Sequence, residues 1–184
     1  MLTSAIITCA LTTRLKDHAK MSAQAAFRTK ILFDTNQLLQ RAKSEEEILS
    51  QTASQLMKLL NRSLIVYPEQ NGGLGAEQIF SVDGETAQNI FSAPEERNAA
   101  NWTFANKKRS GAGTDSYPDA KGLYLALRTG GGVFGVIGID LSEKPLDAFE
   151  NSVLLSILGE GALAIENRRN ALETEQATLQ AKNE

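Results

Sequence analysis

The sequence predicts an α+β domain: an antiparallel sheet with helices gathered on one face and long signalling helices at both ends. Three observations carry this. Two strand-like runs, Gly122 to Thr129 and Val133 to Leu141, flank Gly130-Gly131-Gly132 and so form a hairpin. Helical and strand segments alternate irregularly rather than as strict strand–helix repeats. The first and last helical stretches both carry apolar residues at seven-residue spacing.

At 184 residues the chain holds one domain with extensions, or two small ones. Its 42% hydrophobic and 22% charged content excludes a collagen-like, disordered or polytopic membrane protein. Cys9 is the single cysteine and His18 the single histidine. An intrachain disulfide and a His-His-carboxylate triad are therefore excluded, and neither a metal site nor a catalytic residue is expected. Residues 1–43 carry seven Lys/Arg against two Asp/Glu, whereas residues 44–145 carry nine against thirteen. A basic head on an acidic body argues against nucleic-acid binding and places the head near an anionic surface such as a membrane.

The elements follow in order. Residues 1–43 are expected as a membrane-proximal end and linker helix. Residues 1–12 are apolar and uncharged, and Arg14, Lys16 and Lys20 follow them. That pattern fits the inner end of a transmembrane helix with its basic flank on the cytoplasmic side. From Leu11 to about Gln40 the stretch stays helical without Gly or Pro. Leu11, His18, Ala25, Leu32 and Leu39 share a seven-residue grid suited to pairing with a second copy.

Residues 44–158 are expected as the central folded domain. Ser44 with Glu47 forms a capping box, and the helix after it buries Ile48, Leu49, Leu56, Leu59 and Leu60. Strands are expected from Arg62 to Tyr67 and from Gln78 to Val82, with a glycine turn between them. Pro94 opens a helix running to about Lys107, with Glu95 and Glu96 suiting its first turn. Arg109 to Pro118 reads as a loop. In the hairpin, Leu123, Leu125 and Leu127 share one face and Tyr124, Ala126 and Arg128 the other; Gly135 and Gly138 allow close approach. Asp147 and Glu150 cap a last helix. Residues 159–184 are its stalk, with Leu158, Ile165, Leu172 and Leu179 in one seam and a poor second seam at Ala162, Arg169 and Gln176.

The stretch from Trp102 and Asn106 through Gly111, Ala112, Gly113, Thr114, Asp115 and Pro118, then Tyr124, Leu125, Leu127, Gly135, Val136 and Gly138, resembles the GAF domain of KdpD-type osmosensitive potassium-channel sensor histidine kinases. Ser116, Tyr117 and Ala126 depart from that family's pattern. The resemblance implies a cytoplasmic regulatory module of a bacterial membrane-bound kinase of a two-component system, relaying signal from membrane segment to kinase core. ATP and magnesium, and the partner response regulator, would belong to that kinase core. His18 stands in Asp17-His18-Ala19-Lys20, which is not a phosphoacceptor box, so this chain is expected to be non-catalytic and to need no cofactor.

The alternative is a small-molecule or ion receptor whose own pocket sets kinase output. Its ligand would meet Trp102, Asn106, Gly111, Gly113, Thr114, Asp115, Tyr124 and Arg128. A filled core under the 109–118 loop favours the relay, and an open polar cavity the receptor. In either case Gly111 and Gly113 are expected at positive φ, with Thr114 or Asp115 bonding the local backbone. Asp115→Ala is then expected to cost about 1–3 kcal/mol if its carboxylate satisfies buried amides. A homodimer through Leu32, Leu39, Leu158, Ile165, Leu172 and Leu179 is the expected assembly.

Overall fold

The computed structural model describes residues 2–182; the side chains of residues 2–8 and 10 lie outside the described set. The expectation of a membrane-span end at residues 1–12 falls mostly on those side chains. Contacts divide the chain into two units, one ending at Asp34 and one beginning at Thr35. The first unit is helical from Leu2, and its Leu11, Leu15, Met21, Phe27 and Phe33 are exposed.

The element order is α1 (Leu2–Arg41), α2 (Glu45–Leu60), β1 (Leu64–Gln70), β2 (Gly73–Leu74), β3 (Gln78–Phe80), α3 (Gly84–Phe91), α4 (Pro94–Asn106), β4 (Ser110–Gly111), β5 (Gly122–Thr129), β6 (Gly132–Asp140) and α5 (Ala148–Lys182). The α+β expectation stands. Helix α3 and the two-residue strands β2 and β4 are additions, too short to leave a period in the sequence.

Ser44 caps α2 as expected, its Oγ accepting from the Glu47 amide at 3.1 Å. Glu47 reaches one residue further back than a capping box requires, accepting from the Lys43 amide at 2.6 Å. At the start of α5 the pairing is reciprocal: Asp147 accepts from the Glu150 amide at 2.8 Å, and Glu150 from the Asp147 amide at 2.9 Å. Arg62 is buried and steadies this corner by donating to the carbonyls of Asp140, Lys144 and Pro145.

The sheet runs β2-β1-β6-β5-β4, with β3 also pairing β1, and every pairing is antiparallel. The hairpin closes where expected, Thr129 opposite Gly132. Strand alternation sorts the core into two layers. Helices α2 and α5 cover one face. The other face is covered too, by α3 and α4, so the expectation of helices on one face alone is corrected. The physical reason lies in β1 and β6, whose runs 64–67 and 134–139 are buried at every position and therefore need cover on both sides. On the α3/α4 face, Ile65, Tyr67, Tyr124 and Val136 pack against Ala87, Ile90, Phe91, Ala99 and Ala100.

Candidate functional site

The site begins with α4. Its buried line is Glu96, Ala99, Ala100 and Thr103, of which the two alanines and the threonine are small and bring the helix close to the sheet. Glu96 is 2% exposed. One of its oxygens accepts from the Lys121 amide at 2.7 Å; the other accepts from the Gly122 amide at 3.0 Å and the Tyr124 hydroxyl at 2.6 Å. This carboxylate thereby joins α4 to the start of β5. Burial, and then the hydrogen bond to Glu96, push the Tyr124 hydroxyl far above the usual tyrosine pKa.

The Tyr124 ring lies against Gly138, where an added Cβ would come within 2.4 Å of it. The close approach expected of Gly138 is thus made by Tyr124. Tyr67 lies beside it, with the Arg97 guanidinium 4.8 Å from its ring centroid. Arg97 also donates to the Leu74 carbonyl at 2.9 Å and pairs with Glu77 at 3.0 Å. Burial, and then Glu77, raise the Tyr67 hydroxyl to about 12. Around Tyr124 and Tyr67 the space between the sheet and α4 is therefore filled by the chain's own side chains, and a cavity of about 350 Å³ opens beside it, between Asn89, Ile90, Glu96 and Lys121.

The 109–118 loop seals one end of this layer. The Ser110 hydroxyl is buried, donating to the Ala99 carbonyl at 2.8 Å and lying 2.8 Å from the Thr103 hydroxyl. Gly111 and Gly113 take φ of 91° and 75°. A side chain at Gly111 would also strike the Gly122 carbonyl. The Thr114 hydroxyl is the loop's internal tie, within 2.8 Å of the Gly111 carbonyl and 2.9 Å of that of Ser116. Asp115 is exposed and satisfies no buried amide.

The remaining named residues spread apart. Trp102 is half-buried beside the α4 line rather than on it. Asn106 is exposed, its amide donating to the Trp102 carbonyl at 2.9 Å. Arg128 is exposed, four residues beyond Tyr124 and about 13 Å along β5. Gly111 lies beside the Tyr124 ring next to the β4–β5 pairing, and Thr114 is tied to Gly111; Asp115, Asn106 and Arg128 face solvent. Glu96, Thr103, Ser110 and Arg97 were not singled out from sequence. Glu96 reads there as a first-turn acid, and only the register of β5 reveals its partners.

A second cluster lies where α5 leaves the sheet. Leu158 and Ile165 are buried in their own chain's core, whereas Leu172 and Leu179 are exposed; Leu39 is buried and Leu32 half-buried. Arg169 donates to both oxygens of Glu45, at 2.8 and 2.7 Å, and to Glu69 at 3.2 Å. Its guanidinium sits 5.0 Å from the Phe134 ring centroid. One turn earlier, Glu166 accepts from the Thr129 hydroxyl at 2.8 Å. A cavity of about 270 Å³ lies between the last turns of α1 and the middle of α5, lined by Leu39, Ile48 and Leu163 with Asn36, Gln40 and Asn167.

A six-stranded antiparallel sheet between two helical layers, with one helix running on beyond it, is the build of an α+β domain. The chain belongs to the GAF domain family, whose model matches residues 44–167. It is similar to the sensor protein KdpD of Clostridium acetobutylicum, 28% identical over 185 residues, which take in all of this chain and 21% of that protein. The chain thus spans about a fifth of that relative's length. Among solved structures it resembles the GAF domain of the potassium sensor histidine kinase KdpD from Escherichia coli, with a TM-score of 0.60 and 19% identity over 79% of this chain and 98% of the other. The GAF domain of an Acinetobacter phosphoenolpyruvate-protein phosphotransferase shares the fold at a TM-score of 0.56, with 11% identity over 78% and 95% of the two chains.

Proposed function

We propose that this chain is the cytoplasmic GAF domain of a KdpD-type sensor histidine kinase in the potassium or osmotic response of a bacterium. In this reading it relays a conformational signal from a membrane segment to a kinase core, and it catalyses nothing itself. The observation that carries the reading is the filled layer between sheet and α4: Tyr124 and Tyr67 occupy, from within the chain, the space a ligand would need. The similarity to the two KdpD proteins supports the kinase assignment. The long α5, buried to Ile165 and exposed at Leu172 and Leu179, supports the relay. Those leucines, with the α1–α5 cavity, suit pairing with a second copy. The kinase core would bring ATP, magnesium and the response regulator, and the basic head would lie against the inner membrane.

The test uses the kinase that carries this domain. Inserting four residues after Leu172 rotates everything downstream, and inserting seven restores the phase. Autophosphorylation should change with the first insertion and recover with the second. Output blind to helix phase would overturn the relay. A saturable change in Trp102 emission with an added ion or small molecule would favour the receptor.

A further inference from the structure

We propose that Arg169 is a clasp fixing the point at which α5 leaves the domain, so that the body and the stalk are joined or parted at one guanidinium. The inference deepens the relay reading by locating its regulation, although the geometry stands without that reading. Four elements meet at this residue. Glu45 opens α2, Glu69 lies in β1, Phe134 lies in β6, and Arg169 itself stands in α5. Glu166, three residues earlier and so on the same side of the helix, ties the β5–β6 turn through Thr129. Beyond Arg169 every described residue of α5 is exposed, so these are the last contacts before the stalk.

Electrostatics makes the joint two-sided. Glu45 and Glu69 both contact the same guanidinium nitrogen, so their carboxylates lie no more than about 6 Å apart. With Arg169 in place they are bridged; with it withdrawn they repel, and the start of α2 is pushed from β1. The bidentate geometry and the aromatic face below favour arginine over lysine. The Arg169 side chain remains 36% exposed, so a twist of the stalk can pull it free without opening the core. The poor second seam at this position thus has a use within the chain.

The test is amide hydrogen exchange on the full chain. Arg169→Met keeps an unbranched apolar side chain at the exit and removes the guanidinium from Glu45, Glu69 and Phe134. Exchange from about Ile165 onward should quicken roughly tenfold, while the sheet and the first three turns of α5 keep their protection. Glu45→Gln with Glu69→Gln, leaving Arg169 in place, should reproduce the effect and serves if Arg169→Met does not fold. Tyr124→Phe, which weakens the other face, should leave the α5 exit unchanged. Exchange that stays constant, or that quickens evenly along α5 and the sheet, overturns the clasp. A clasp that passes in a kinase blind to stalk phase would refute the relay alone.

Discussion

The Tyr124 hydroxyl donates to the Glu96 carboxylate across 2.6 Å, and neither side chain is more than 2% exposed. The same carboxylate takes the Lys121 and Gly122 amides, so a single residue of α4 terminates the backbone of β5. Glu96→Ala leaves three donors without a partner and should lower unfolding stability by about 3 kcal/mol or more. Tyr124→Phe leaves the two amides satisfied and should cost about 1–3 kcal/mol. Urea unfolding of the two variants and their double mutant measures the coupling; strictly additive losses would mean the bond contributes little.

The two buried tyrosines set an alkaline limit. Both hydroxyls are held above the unfolded value of 10.0, Tyr67 at about 12 and Tyr124 higher, chiefly by burial. The unfolded chain therefore loses these protons first. Below pH 10 the stability is fully present; above it, stability falls by up to about 1.4 kcal/mol per pH unit for each tyrosine. For Tyr67 the loss is complete near pH 12. Thermal melts from pH 8 to 11 should show this decline, and Tyr67→Phe should make it shallower, leaving the share of Tyr124. An unchanged melting temperature to pH 11 would contradict it.

Gly138 and Gly84 make a matched pair. A methyl group at Gly138 would meet the Tyr124 ring at 2.4 Å and Ile65 at 2.7 Å. Gly138→Ala should therefore cost about 1–3 kcal/mol by overpacking. A methyl group at Gly84, the first residue of α3, meets nothing within 4 Å, and Gly84→Ala should gain about 0.5–1 kcal/mol. Opposite shifts in melting temperature check both at once.

In the 109–118 loop the stabilising weight falls on Thr114. Its hydroxyl ties Gly111 to Ser116, so Thr114→Val should cost about 1 kcal/mol. Asp115→Ala should stay within about 0.5 kcal/mol of the parent, because the carboxylate is exposed and bonds no buried amide. A large loss at Asp115 in chemical denaturation would reverse this assignment.

What was legible in the sequence follows physical range. The β5–β6 hairpin, the Pro94 start of α4, the caps at Ser44 and Asp147 and the positive φ of Gly111 and Gly113 all rest on interactions within a few residues. Those leave their mark in local order. Glu96 and Arg169 do not. One bonds a strand 25 residues away, the other a helix start 124 residues away, and each looks ordinary among its neighbours. Thr114 and Asp115 were equal by composition, and only the turn of the loop decided between them. Cover on the second sheet face was hidden for a related reason. Helix α3 is eight residues long, too short for its apolar side to stand out from chance.

The filled layer beneath α4 has a thermodynamic corollary. A domain whose cavity is occupied by a diffusible molecule borrows stability from that molecule, and its melting point follows the cell's supply of it. Tyr124 and Tyr67 are covalently part of the chain, so the occupant's effective concentration is fixed by the fold itself. Under the proposed relay, the folded fraction of this domain does not follow the supply of a bound molecule. In the proposed relay, what varies in the cell acts on the domain mechanically, through its two helical ends.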